Sequence, residues 1–274
     1  MSTISVILAT YNGTDLLDLT LSSLAATKDE NIEVVIADDG STNPTTQAII
    51  EKHQRLDALP ILHAKQEDLG FRLARSRNNA ASIASGDILA FLDHDILVPK
   101  NFFKQVRAHM TPGWFAAGRR VKLDRDTTEK ILTGKKHYDH VFAKSFACKA
   151  ALRKLPGWRY LFPTRNRTPG TQPQPFKGMS GFCIITYRKD FLAIDGFDNT
   201  FTSYGVEDWD FLARLNNNGT HGGYLPTKAT TAHLWHKETE VSLDSPAYLQ
   251  LNETIKNKIT QPKSGFKDLQ KEIQ

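Results

Sequence analysis

The sequence predicts an α/β fold in which a mostly parallel central sheet is covered by helices on both faces, and three observations predict it. Continuous apolar, largely β-branched runs at 4–10, 32–37 and 88–92 have no polar alternation, so they read as strands buried on both faces. Segments with helical apolar spacing separate them, which is the strand-helix-strand repeat of a parallel sheet. Three polar clusters, Thr10-Tyr11-Asn12, Asp38-Asp39 and Asp93-His94-Asp95, close those runs at their carboxyl ends, where open α/β sheets bind ligands.

The elements follow in order. Residues 16–26 carry apolar side chains at helical spacing. Asn43-Pro44 supplies an N-cap and a first-turn proline for a helix to about Arg55. A short strand is expected at 61–64 and a helix at 73–85, closed by Gly86. After the strand at 88–92 the pattern loosens. Residues 114–121 read as one strand, 126–155 as one or two helices, and 156–175 as a loop with five prolines. A strand at 181–187, an amphipathic helix starting at 208–215 and a last strand at 229–235 complete the pattern. The tail beyond Pro262 reads as polar and frayed.

A chain of 274 residues with 40% hydrophobic content can bury one large core, so a single domain at 1–240 is expected, with 241–274 a helical extension and tail. The opening has no basic leader and no apolar run approaches the length of a membrane span, which predicts a soluble, cytoplasmic protein. Cys148 and Cys183 lack metal-ligand spacing and read as free thiols. The net charge of +5 is unevenly spread: between Asp139 and Asp190 there is no acid, whereas Lys144, Lys149, Arg153, Lys154, Arg159, Arg165, Arg167, Lys177, Arg188 and Lys189 all lie there. That stretch reads as a solvated basic face or as a site for an anionic partner. Because Phe142, Phe146, Leu152, Leu155, Trp158, Tyr160, Leu161 and Phe162 interleave with the cations, peripheral attachment to a membrane through 144–167 and a grip on an anionic glycan are both open. Nothing points to nucleic acid.

Asp93 and Asp95, one residue apart where a buried strand stops, can both reach one hard divalent cation, and such a cation can neutralise a diphosphate. Glu207, Asp208 and Asp210 are three acids in four residues after a glycine. Like charges raise one another's pKa, so the cluster suits proton removal or holding hydroxyls, although the macrodipole alone favours acids at a helix start. His233 and His236, in His-x-x-His spacing at a strand end, can add imidazole ligands, with His233 as third ligand, or be ordinary strand residues. Mixed oxygen and imidazole ligation favours Mn²⁺ over Mg²⁺. Taken alone, Asp38-Asp39-Gly40-Ser41 is a turn with Asx-type bonds, and Arg72 and Arg77 are helix-surface arginines.

Val6-Ile7-Leu8-Ala9-Thr10-Tyr11-Asn12, Ala37-Asp38-Asp39-Gly40-Ser41, Arg77-Asn78 with Gly86-Asp87, and Phe91-Leu92-Asp93-His94-Asp95 resemble family 2 glycosyltransferases of the Rossmann-like GT-A fold, over roughly the first 120 residues. Gly205-Val206-Glu207-Asp208-Trp209-Asp210 and His233-Leu234-Trp235-His236 resemble motifs of β-1,4-galactosyltransferases, polypeptide N-acetylgalactosaminyltransferases and bacterial chondroitin polymerases. His94 departs from the usual small or acidic middle residue, and the basic, proline-rich middle matches no motif of these families. The resemblance implies a nucleotide-sugar half at 1–121 and a smaller acceptor-side half at 122–240. It implies that Thr10, Tyr11, Asn12 and Asp39 surround the nucleoside of a UDP-sugar, that Arg72 and Arg77 approach the diphosphate or hold Asp93, and that Asp93 and His94 complete the donor site. Asp95, His233, His236 and Asp93 then form the metal group, Asp208 is the base of an inverting transfer, and Glu207, Trp209 and Gly181 face a glycan or lipid-linked acceptor. Trp209 and Trp235 can offer flat faces to a pyranose or be core residues. Two rival functions remain. A nucleotidyltransferase should carry a glycine-rich phosphate loop with a lysine, absent from Thr10-Tyr11-Asn12-Gly13, and a non-catalytic sugar-binding relict would not keep the metal, base and nucleotide residues together.

Overall fold

The computed structural model describes residues 2–162, 168–171, 173–176, 178–237 and 245–273. The first half follows the expected alternation: β1 (Ile4–Thr10), α1 (Asp15–Ala25), β2 (Ile32–Asp38), α2 (Pro44–Arg55), β3 (Ile61–Lys65), α3 (Leu73–Ile83) and β4 (Ile88–Asp93). Asn43 caps α2 by accepting from the Thr45 N–H, with Pro44 in the first turn. Then come β5 (Ile96–Leu97), α4 (Phe102–His109), β6 (Trp114–Ala117), β7 (Arg120–Lys122), α5 (Arg125–Leu132), α6 (Lys144–Leu152), β8 (Cys183–Tyr187) and α7 (Arg188–Ala193). The chain continues with α8 (Glu207–Asn217), β9 (His221–Tyr224), β10 (Thr231–His233), α9 (Pro246–Lys256) and α10 (Phe266–Ile273).

Seven strands form the main sheet in the order β3-β2-β1-β4-β8-β6-β9, and β8 alone runs against the others. The period of two in each strand divides the core. Ile4, Val6 and Leu8 of β1 join Leu17, Leu21 and Leu24 of α1 on one face, while Ile7, Val35 and Phe91 join Ala80 and Ala81 of α3 and Phe191, Phe197 and Phe211 on the other. Phe197 and Phe211 stack with ring centres 4.1 Å apart. A second sheet, β5-β10-β7, closes over a third cluster that includes Val121, Ile131, Phe146 and Leu155.

Several expectations change. The run at 114–121 is two strands in different sheets. It breaks at Gly118, whose N–H donates to the Cys183 carbonyl at 2.9 Å and where a side chain would strike Cys183, and at Arg119, whose carbonyl accepts from Thr231 of the small sheet. Gly86 does not cap α3. The helix ends at Ile83 and Gly86 instead lies against β1, its N–H donating to Ser5 Oγ at 2.7 Å, where a Cβ would sit 2.6 Å from the Ser5 nitrogen. The loop at 156–175 contains a 3₁₀ turn at Trp158–Leu161, and residues 163–167 and 172 lie outside the described residues. The tail is helical and packed, because α10 buries Phe266 and Leu269 beside α3 and sets Phe266 edge-on to Phe191 at 5.4 Å. No helix among the described residues is long and apolar enough to cross a membrane.

Phe266→Ala should therefore cost about 3 kcal/mol through cavity formation. Urea unfolding followed by circular dichroism measures it, and a change under about 0.5 kcal/mol, the surface range, would return α10 to the status of a loose appendage.

Candidate active site

Parallel register brings the three polar clusters to one edge. Thr10 lies opposite Asp38 and Ala9 opposite Asp93. Asp38 faces the sheet side, 2.9 Å from His63 Nε2, and accepts from the Ser41 N–H. Asp39 accepts from Gln66 Nε2 at 2.6 Å and from the Arg72 N–H at 2.9 Å, which orients its carboxylate toward a cavity walled by Thr10, Tyr11, Phe71, Asp93, His94 and Tyr204. Asn12, with φ 51°, shapes the rim by accepting from the Thr42 and Asn43 N–H groups. The Tyr11 hydroxyl donates to Asp68, and Thr10 Oγ1 is buried without a partner. The Arg72 guanidinium turns to the Glu67 carbonyl, at 2.6 Å. His94 Nδ1 lies 3.1 Å from the Ala9 carbonyl.

The small sheet assembles the metal-capable group. β10 pairs with β5 so that His233 stands opposite Ile96, and the Leu234 N–H donates to the Asp95 carbonyl. Asp95 Oδ2 is 3.3 Å from His233 Nε2 and 2.8 Å from His236 Nε2, and the three ligand atoms lie within 4.8 Å of one another. Burial acts to raise Asp95, but the two imidazoles outweigh it and hold the carboxyl well below the usual range. Asp95 Oδ1 is buried with no hydrogen-bond partner, so a carboxylate and two imidazoles converge with a lone pair to spare, a donor set that fits a divalent transition metal. Among the described residues Asp93 does not join this group.

Asp93 instead meets Arg77. The guanidinium, 2% exposed, reaches Asp93 Oδ1 at 3.2 Å and Glu207 Oε1 at 3.1 Å. Of the two expected roles for Arg77, holding Asp93 is the one its geometry serves, and Glu207 is a partner that sequence reasoning missed. Gly205 and Val206 both have positive φ just before α8, and a β-branched residue at φ 62° is strained. That turn presents Glu207 and Asp208 to the cavity. Asp208 sits under Gly181, where a side chain would collide with its carboxylate, and accepts from the Trp209 N–H at 2.9 Å. Trp209 Nε1 donates to the Met179 carbonyl. Asp210 points away, paired with Arg214 at 2.8 Å and accepting from Thr254, so it packs the helix.

Arg77, Asp93, Gly181, Glu207, Asp208, Trp209, His233 and His236 line one cavity, which shares Leu73, Asp93 and Tyr204 with the cavity beside Asp39. Arg120 and Lys122 also line it and were missed. They sit on the three-residue β7, and the alternation of Arg120, Val121 and Lys122 two residues past Gly118 is the sequence signal for them. Burial, then the charge of Asp208, push Glu207 up to about 7 against the pull of Arg77. Burial also raises Asp208, with Arg77 opposing.

In the basic stretch, Phe146 and Leu155 are buried and Phe142, Trp158 and Leu161 pack on the third cluster, whereas Leu152 is 86% exposed. Residues 163–167 of that stretch lie outside the described residues. Cys148 and Cys183 are free thiols.

Residues 5–191 match glycosyl transferase family 2. The chain belongs to that family. Residues 169–237 of this family 2 chain match the N-terminal domain of galactosyltransferase. The chain is 31% identical over 228 residues to validoxylamine A glucosyltransferase of Streptomyces hygroscopicus subsp. limoneus, covering 79% of this chain and 48% of that protein. It is 35% identical over 236 residues to chondroitin synthase of Pasteurella multocida (strain Pm70), covering 77% of this chain and 23% of that one. The chain thus spans about half or less of the length of these curated relatives. Residues 1–349 of S. aureus TarS in complex with UDP-GlcNAc superpose with a TM-score of 0.64 at 19% identity, covering 97% of this chain and 69% of that one. The fold is GT-A.

A raised carboxyl pKa stabilises the fold below the unfolded value and loses that contribution as pH rises through the folded one. For Glu207 the window runs from the ordinary glutamate value of 4.5 to about 7. Glu207→Gln should match wild type in melting temperature near pH 4, below the window, and exceed it near pH 8, read by calorimetry. A difference that does not change with pH would place an ordinary carboxylate at 207.

Proposed function

We propose that this chain is the catalytic domain of an inverting, metal-dependent glycosyltransferase. It moves a hexose or N-acetylhexosamine from a UDP-sugar to a glycan or lipid-linked acceptor in surface polysaccharide or glycoconjugate synthesis. The observation that carries the reading is that Asp208 lines one cavity with His233 and His236, the two imidazoles that meet Asp95, while Arg77 ties Asp93 to Glu207 in the same cavity. The reading divides the domain into a donor half at 1–121 and an acceptor half at 122–240.

In this reading Asp39 accepts from the uracil imide, Thr10 and Tyr11 flank the nucleoside, and Asp93 faces the ribose. Asp95, His233 and His236 would hold Mn²⁺ or Mg²⁺, which supplies charge neutralisation to the departing diphosphate when bound. Arg120 and Lys122 add positive charge on the same wall. Asp208 takes the proton of the attacking hydroxyl from the face opposite the leaving group, which inverts the anomeric carbon, and its raised pKa suits that task. Glu207, held by Arg77, orients acceptor hydroxyls. Family membership, the relatives named as glucosyltransferase and chondroitin synthase, and UDP-GlcNAc in a GT-A neighbour support the reading.

Asp95→Ala should abolish transfer and remove Mn²⁺-dependent UDP binding in calorimetry while the protein still melts cooperatively. Unchanged metal-dependent affinity would take Asp95 out of the site. Asp208→Asn should bind UDP normally yet lose at least about 10²-fold in kcat, as removal of a general base predicts. Transfer at the wild-type rate would make Asp208 structural.

A further inference from the structure

The carboxylate beside the nucleotide cavity is gripped from a single loop. Residues 66–72 connect β3 to α3 and lie against the Asp39 turn, where a Cβ on Gly40 would sit 2.5 Å from the Asp68 backbone. Gln66 Nε2 donates to Asp39 Oδ1 at 2.6 Å, and the Arg72 N–H donates to Asp39 Oδ2 at 2.9 Å. Each oxygen of Asp39 thus receives one donor from the same loop. The loop is itself tied down, because the Gln66 N–H donates to the Asp38 carbonyl and the Arg72 guanidinium folds back to the Glu67 carbonyl.

The direction of the Gln66 amide follows from its neighbours. The same Nε2 lies 3.4 Å from the Arg72 carbonyl, an oxygen that can only accept, so the nitrogen and not the oxygen faces Asp39. Gln66 Oε1 is buried with no hydrogen-bond partner, which costs stability rather than adding to it. What the amide contributes is its nitrogen, and that nitrogen is aimed at Asp39. Burial raises the Asp39 carboxyl, and the Arg72 N–H and Gln66 oppose the rise by bonding to the ionised form. Asp39 lines the nucleotide cavity and Gln66 does not, so Gln66 acts on a ligand there only through Asp39.

We propose that Gln66 is a positioning residue for base selection: it holds Asp39 as a hydrogen-bond acceptor, so that the cavity takes uracil and refuses cytosine. The proposal rests on the UDP-sugar reading above. Uracil presents an N–H at N3, which a carboxylate accepts, whereas cytosine presents a lone pair there, which a carboxylate repels. Without the Gln66 donor, Asp39 can turn or take up a proton, and a protonated carboxyl donates to the cytosine lone pair as readily as an ionised one accepts from uracil.

The test titrates the full chain with UDP and with CDP by calorimetry, each in the presence of Mn²⁺. Wild type should bind UDP at least about tenfold more tightly than CDP. Gln66→Met, which keeps the length of the side chain and removes the donor, should weaken UDP about tenfold and leave CDP within about twofold of wild type, so that the preference collapses. In an Asp39→Asn background the same substitution should change neither affinity further, the coupling expected of a residue that acts only through Asp39. A glutamine that merely supports the loop would weaken both nucleotides alike and in either background, and that result overturns the proposal. So does an undiminished preference for UDP in Gln66→Met, or equal affinity of wild type for UDP and CDP. Gln66→Leu repeats the comparison should Gln66→Met fail to melt cooperatively, and loss of the fold in both variants would make Gln66 structural and overturn the proposal as well. Failure of wild type to bind UDP at all would remove the UDP-sugar reading, and base selection with it.

Discussion

One buried guanidinium holds the site together. Arg77 lies on the inward side of α3 and spans from Asp93, at the end of β4, to Glu207, at the start of α8. An arginine that is 2% exposed persists only if its charge is met, and here two carboxylates from opposite walls meet it. Removing it would leave Asp93 and Glu207 without the cation that joins them. Asn78, the next residue, secures the same half of the molecule by donating to the Phe197 carbonyl and accepting from the Phe197 N–H. The position of α8, and with it Asp208, thus depends on two consecutive polar residues of a helix packed on β1, β2 and β3. The strained backbone at Val206 is tolerated because these contacts and the burial of Phe211 and Leu212 over-determine the turn.

The acids of the cleft are separated by their surroundings. Asp95 faces two imidazoles, which hold its carboxyl below the usual range despite burial. Burial raises both Glu207 and Asp208, the charge of Asp208 adds to it at Glu207 and that of Asp93 at Asp208, so both hold protons more strongly than free carboxyls do against the pull of Arg77. Residue type is nearly the same at these positions, and the neighbours decide which acid can hold a metal and which can take up a proton.

The small sheet joins the two chemistries. β10 lies between β5, which follows directly from Asp95, and β7, which carries Arg120 and Lys122. That arrangement sets His233 beside Asp95 and places Arg120 and Lys122 on the lining of the same cavity. It also leaves Trp235 at the rim, since the residues after β10 emerge on the far side of the histidines.

The sequence by itself determined the strand-helix alternation, the strand-end clusters at Thr10-Tyr11-Asn12, Asp38-Asp39 and Asp93-His94-Asp95, the acids at 207 and 208, and the spacing of His233 and His236. Hydrophobic period, capping and turn chemistry are local, so they can be read along the chain. Only the tertiary structure decided that Arg77 reaches Glu207, that 114–121 divides between two sheets at Gly118 and that α10 packs through Phe266. It alone decided that most apolar residues of the basic stretch turn inward. Each of these joins elements distant in sequence, and local propensity carries no information about which buried charge or ring will find which partner. β9 shows the same limit: His221-Gly222-Gly223-Tyr224 has Tyr224 as its one strand former, and it is a strand because its glycines let Gln174 and Pro169 pack against a backbone already paired with β6.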